Sequence, residues 1–161
     1  MLYDNETVLK FLPHRDPFLF IDSVQSVTHP DENMQRGKAT LKDLIGVEIA
    51  ANYFTKEDHA IFRGHFPGHP ILPGVVQVEM MAQTMAFILH FTCEDILDLK
   101  IDVALLGVRS AKFRKPIFPN MELEVRSRCT KARAPIITSE CQIIYNNQVM
   151  SEAEIMASVK F

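Results

Sequence analysis

The stretch Arg63–Phe91, RGHFPGHPILPGVVQVEMMAQTMAFILHF, decides how the rest of the chain must be arranged. Its first twelve residues hold three glycines and three prolines, which fix an unusual backbone path. A helix starts near Pro73-Gly74, because proline is tolerated in a first helical turn, and reaches about Phe91. Val75, Val76, Val78, Met80, Met81 and Met85 make it apolar nearly all the way round, so it needs protein on most of its faces. A run this long also raises the membrane question. Gln77, Glu79, Gln83 and His90 interrupt it, and a carboxylate near a bilayer centre is costly, so a buried helix in a soluble protein is expected instead.

After the helix the period changes to two. Ile101, Val103, Leu105 and Gly107 alternate along one strand, and Met121, Leu123 and Val125 oppose Glu122, Glu124 and Arg126 along another. In the tail, Val149, Ser151, Ala153, Ile155, Ala157, Val159 and Phe161 share one side, with Met150, Glu152, Glu154 and Lys160 opposite. Pro119-Asn120, Ala134-Pro135 and Asn146-Asn147 punctuate these runs as turns. Before the helix, a short helix runs from Asn5 to Leu12 and is stopped by Pro13 and Pro17. Phe18–Val27 reads as a strand with Arg36–Leu41 as its partner. Lys42–Phe66 reads as loops with a short helix near Asp58–Phe62. The sum is an α+β domain with an antiparallel curved sheet wrapped around one long central helix.

Length bounds the chain to a single domain, 1–161, long enough to bury a core without staples. Its 47% apolar and 23% charged content is ordinary for a globular protein, and its net charge of -3 argues against a nucleic-acid binder. The start, MLYDNETVLKFLPHR, shows no signal-peptide pattern. Cys93, Cys129 and Cys141 form no even framework and no CxxC spacing, as expected of free thiols in a reducing cytoplasm.

Chemistry concentrates where the Gly/Pro-rich segment meets the helix. The bend delivers His65 to the helix start, and the Gly74 amide belongs to a helix N-terminus, where unbonded N–H groups favour negative charge. Glu79 is the sole carboxylate between Asp58 and Glu94. Desolvation is expected to raise its pKa and keep it protonated. A neutral imidazole and a carboxylic acid facing one cleft make a general base and a general acid.

The run GHFPGHPILPGVVQVEMMAQ resembles the signature of the bacterial 3-hydroxyacyl-[acyl-carrier-protein] dehydratases of fatty-acid synthesis. Leu12–Asp22 (LPHRDPFLFID) resembles that family's N-terminal block and Ala111–Asn120 (AKFRKPIFPN) its third block, in family order. The resemblance implies a hot-dog fold, no cofactor or metal, and a homodimer that in this family often assembles into a trimer of dimers. It implies His65 as the catalytic histidine, Glu79 as the catalytic acid and Gly74 as the glycine whose N–H binds the thioester carbonyl, with the two side chains drawn from different subunits. The substrate would be an acyl thioester on acyl carrier protein, its chain running along Phe66, Pro67, Val75, Val78 and Met80. Glu79 and Val75 stand where a sister group that also isomerises has Asp and Cys, which favours the dehydratase-only branch.

Departures from the family pattern are Gln77, Val78, Met80, Met81, His69 and Asn120. Arg109, Lys112, Arg114 and Lys115 form a basic patch suited to an acidic carrier protein. His59, His65 and His69 match no common zinc spacing. His14 and Arg15 read as structural anchors of the N-terminal block. The competing readings are a hot-dog thioesterase and a non-catalytic acyl-binding protein.

Overall fold

A computed structural model describes residues 1–160; Phe161, expected on the inward side of the last strand, lies outside the described residues. The elements are α1 (Asn5–Phe11), β1 (Ser23–Thr28), β2 (Glu48–Phe54), α2 (Ala60–Gly64), α3 (Gly74–Met85), β3 (Asp102–Phe113), β4 (Glu122–Arg133), β5 (Ile136–Tyr145) and β6 (Gln148–Lys160). All six strands form one antiparallel sheet in the order β1-β2-β4-β5-β6-β3. The sheet packs on α3, as the alternation of β4 and β6 requires: Leu123, Val125, Ile155 and Val159 are buried against the helix side, while their sequence neighbours reach the outer face. This is the expected hot-dog arrangement of a helix within a curved sheet.

The central helical run is α-helical only to Met85 and tightens into a 3₁₀ segment over Ala86–Phe91. Met80, Met81, Phe87 and Leu89 are fully buried. Val75 departs from the all-round apolar expectation: it is 79% exposed, at the helix N-terminus. No helix among the described residues is long and apolar enough to cross a membrane.

Two expectations for the first third are corrected. The strand after α1 is Ser23–Thr28, shorter than Phe18–Val27, and its partner is Glu48–Phe54, not Arg36–Leu41. Gly37 sits at φ +72 and breaks any strand there, and Leu41–Leu44 is a 3₁₀ turn capped by Thr40 and Asp43. The chain expected to be loops therefore supplies β2, whose Ile49, Ala51 and Tyr53 alternate inward. The Asp58–Phe62 helix is present, shifted to Ala60–Gly64.

The β6 alternation holds from Ser151 onward and fails before it, because a bulge between Ile143 and Ile144 skips Met150. That side chain turns inward and its carbonyl accepts from the Arg114 and Lys115 amides. The β5–β6 hairpin turns on Asn146 and Asn147 at φ 48 and 61, a conformation asparagine tolerates. Asn120, which replaces a glycine of the family pattern, likewise sits at φ 62. All three cysteines are unbridged; Cys129 and Cys141 are buried.

Among the described residues, strand β3 ends the sheet and pairs only with β6. Val103, Leu105, Leu106, Val108 and Phe113 are each 39–52% exposed along it, so its apolar side chains are uncovered on both faces.

Candidate active site

His65 ends α2 and begins the Gly/Pro-rich bend. Its Nδ1 lies 2.7 Å from the Ile71 carbonyl, while the Ile71 amide donates back to the His65 carbonyl at 2.8 Å. The bend thus closes on itself and holds the ring by both its backbone and its side chain. An Nδ1–H donated to that carbonyl assigns the tautomer and leaves Nε2 as the basic nitrogen. The ring stacks on Phe66 with centroids 4.0 Å apart.

The same bend leads through Pro73 into α3. The Gly74 and Val75 amides are the first two of the helix and have no intrahelical acceptor; the Pro73 carbonyl accepts from Val76 and Gln77. Glycine at 74 has a packing reason. A Cβ there would lie 2.8 Å from Cζ of Phe113, the last residue of β3. The Phe113 ring therefore rests directly on the helix start.

His65, Gly74 and Phe113 share an open cleft of about 490 Å³, whose walls also include Val75, Gln77 and Val78, with Arg114 and Lys115 at its edge. Of the residues expected along an acyl tunnel, Val75 and Val78 line this cleft, whereas Phe66, Pro67 and Met80 do not. Met80 is fully buried in the core. Arg109 lines a separate polar groove across the outer face of the sheet, and Lys112 pairs in register with Glu152. The expected basic patch is therefore split. His59 and His69 do not join His65: His59 caps α2 and bonds the Pro17 carbonyl, and His69 packs edge-on to Phe118.

Gln77 was not among the sequence-derived site residues. It is 3% exposed, donates from Nε2 to the Leu72 carbonyl at 3.1 Å, and leaves Oε1 buried without a partner. Its amide within an aliphatic run was the available signal.

Glu79 stands elsewhere. Five residues after Gly74, it points about 140° further round the helix and does not line the His65 cleft. Its Oε1 lies 3.2 Å from His14 Nε2 and accepts from Gln83 Nε2 at 2.9 Å. The expectation of a raised pKa is overturned. The hydrogen bond from His14 outweighs desolvation, with Gln83 adding to it, and holds the carboxyl below its ordinary value of 4.5. Glu79 is half-buried, in a polar pocket made by the N-terminal block, and is ionised at neutral pH.

Comparison with known proteins places this geometry. Residues 12–154 match the FabA-like domain family. The chain belongs to that family. It is 35% identical over 157 residues to a 3-hydroxyacyl-[acyl-carrier-protein] dehydratase FabZ of Erythrobacter litoralis, covering 98% of this chain and 93% of that protein. The FabZ dehydratase of Campylobacter hominis is also 35% identical, over 98% of both chains. Among solved structures, the dehydratase heterocomplex ApeI:P of Xenorhabdus doucetiae superposes with a TM-score of 0.71 at 16% identity, over 96% of this chain and 91% of that one. A Haemophilus influenzae thioesterase follows at a TM-score of 0.52 and 18% identity, over 70% and 71% of the two chains. Both likenesses speak to the hot-dog fold alone.

Proposed function

We propose that this chain is a 3-hydroxyacyl-[acyl-carrier-protein] dehydratase of fatty-acid or related acyl-chain synthesis, acting without cofactor or metal. The observation that carries the mechanism is the pairing of an oriented His65 with the unbonded helix-start amide of Gly74 in one cleft. His65 Nε2 takes the proton from C2 of the substrate. The Gly74 N–H, at the positive end of α3, stabilises charge developing on the thioester oxygen. The ionised Glu79 accepts a hydrogen bond from the C3 hydroxyl and orients it, and the proton that His65 has taken from C2 passes to that oxygen as the C–O bond breaks. Water and a trans-2-enoyl thioester leave.

Within one protomer Glu79 faces away from the His65 cleft, so this reading requires Glu79 of a second copy. The uncovered apolar edge of β3 supports such a homodimer. A twelve-residue edge strand with free backbone groups pairs readily with its own copy, and Phe113 joins that edge to Gly74. Further assembly into a trimer of dimers belongs to the same proposal. Arg114 and Lys115 at the cleft edge suit an acidic carrier protein. Unbridged cysteines, two of them buried, fit a cytoplasmic enzyme.

The ionised Glu79 also supports a second reading. A carboxylate can activate water against the thioester itself, as a thioesterase would need. Incubation with crotonyl thioester separates the two. Hydration to the 3-hydroxyacyl thioester, abolished by His65→Ala and by Glu79→Gln with the fold retained, is the expected result. Thiol release without hydration would establish the thioesterase, and acyl binding with neither reaction would leave a non-catalytic protein. Substantial hydration in either variant would remove that residue from the mechanism.

A further inference from the structure

We infer that His14 is a positioning residue for the reaction, fixing Glu79 so that one carboxylate oxygen is held and the other faces the substrate. The inference rests on the dehydratase reading and deepens it.

The N-terminal segment is tied down from several sides. Gln83, 2% exposed on α3, accepts from the Phe20 amide and donates to the Phe18 carbonyl, both at 2.9 Å. Arg15 Nη1 bonds the Leu12 and His14 carbonyls at 2.9 and 2.6 Å. His59 Nε2 lies 3.1 Å from the Pro17 carbonyl, and Leu12 is 1% exposed. A segment held this way carries the His14 ring to a fixed place over α3.

At that place both ring nitrogens are accounted for. Nε2 faces Glu79 Oε1 at 3.2 Å, and Nδ1 is buried without a partner. A proton on Nδ1 would be buried unpaired, so the ring carries its proton on Nε2 and donates it to the carboxylate. Gln83 donates to the same Oε1. Two donors from two elements converge on one oxygen of a long, flexible side chain, leaving Oε2 available to the C3 hydroxyl. A misplacement of about 1 Å in such a group costs on the order of 100-fold in rate. A residue that only anchored the backbone would need no donor at this position.

The test compares wild type, His14→Ala, His14→Asn and His14→Gln in crotonyl-thioester hydration, with thermal melting of each. Glutamine carries its amide nitrogen at about the reach of Nε2; asparagine falls short. His14→Ala is expected to lower kcat about 10- to 100-fold with KM little changed and melting nearly unaltered, His14→Asn to match it, and His14→Gln to recover most of the loss. Wild-type kcat in His14→Ala, or no difference between the Gln and Asn variants, would overturn the inference. A wild type inactive on all substrates would instead defeat the dehydratase reading. Ring ¹⁵N shifts keep the contact testable in that event: His14 should report an Nε2–H donor in wild type and change in Glu79→Gln. A His14 ring indifferent to that substitution overturns the inference whatever the substrate.

Discussion

The Nε2 of His14 and the Oε1 of Glu79 meet at 3.2 Å, bringing the N-terminal block onto the one carboxylate of the central helix. Without it the His14 ring would have both nitrogens unpaired, and the half-buried Glu79 carboxyl would keep only the Gln83 amide of its own helix. The contact costs less than either left unpaired and sets the ionisation of the carboxyl.

That ionisation makes stability depend on pH with a definite sign. The folded pKa of Glu79 lies below its ordinary 4.5, so between the two values the unfolded chain binds more protons. The stabilisation is present above that ordinary value and is lost as pH falls through the lowered one. Partial exposure of both side chains limits it to about 1 kcal/mol or less. Urea unfolding from about pH 3 to about pH 7 should show wild type more stable than Glu79→Gln at neutrality and the gap closing in acid. A gap that widens on acidification would mean that the carboxyl is protonated in the folded state.

The sequence was most legible where one local pattern ruled. Leu123 and Val125 against Glu122 and Glu124 announce a strand with one buried face, and no distant contact alters that. Strand β2 was missed because Ala50-Ala51-Asn52 lacks the β-branched and aromatic residues that mark strands, although Ile49, Ala51 and Tyr53 do alternate. Its place is set by pairing with β1 and β4, which no local window contains. The His65–Gly74 half of the site was readable because bend and helix start are contiguous. The state of Glu79 was not, since the deciding donor, His14, arrives from far upstream. Gln83, one turn on, was the only local sign that the carboxyl has company.

Gly74 and Phe113 should be energetically coupled. Alanine at 74 would push its Cβ to 2.8 Å from the Phe113 ring, and the half-exposed ring must swing aside. Gly74→Ala alone is expected to cost about 1 kcal/mol of stability and to lower hydration, because the ring forms a wall of the cleft. Adding Phe113→Ala should recover the stability loss. Denaturant unfolding of the four proteins gives the coupling directly, and strict additivity would show that the contact carries no energy.

The edge of β3 should be the dimer seam. Leu105→Glu with Val108→Glu places two carboxylates on an otherwise uncharged apolar part of that strand. Light scattering should show a shift to monomer with circular dichroism retained. Hydration should fall by at least about 100-fold, because His65 loses access to a second copy's Glu79. A double variant that remains dimeric and active would place both the seam and the shared site elsewhere.

The four basic residues near β3 should differ in their effect on carrier-protein substrates. Arg114 and Lys115 stand at the edge of the His65 cleft, whereas Arg109 faces the outer groove opposite Glu154. Arg114 also bonds Glu152 at 2.6 Å, but both side chains are solvent-accessible, and such a pair yields readily to an incoming carboxylate. Arg114→Glu with Lys115→Glu should therefore raise KM for a carrier-protein thioester about tenfold at low salt, with less effect as ionic strength rises. Arg109→Glu should change it little. A neutral N-acetylcysteamine thioester supplies the control, since it reaches His65 and Gly74 without a charged carrier. If the double variant slows both substrates equally, these side chains act on the cleft itself rather than on the approach of the carrier.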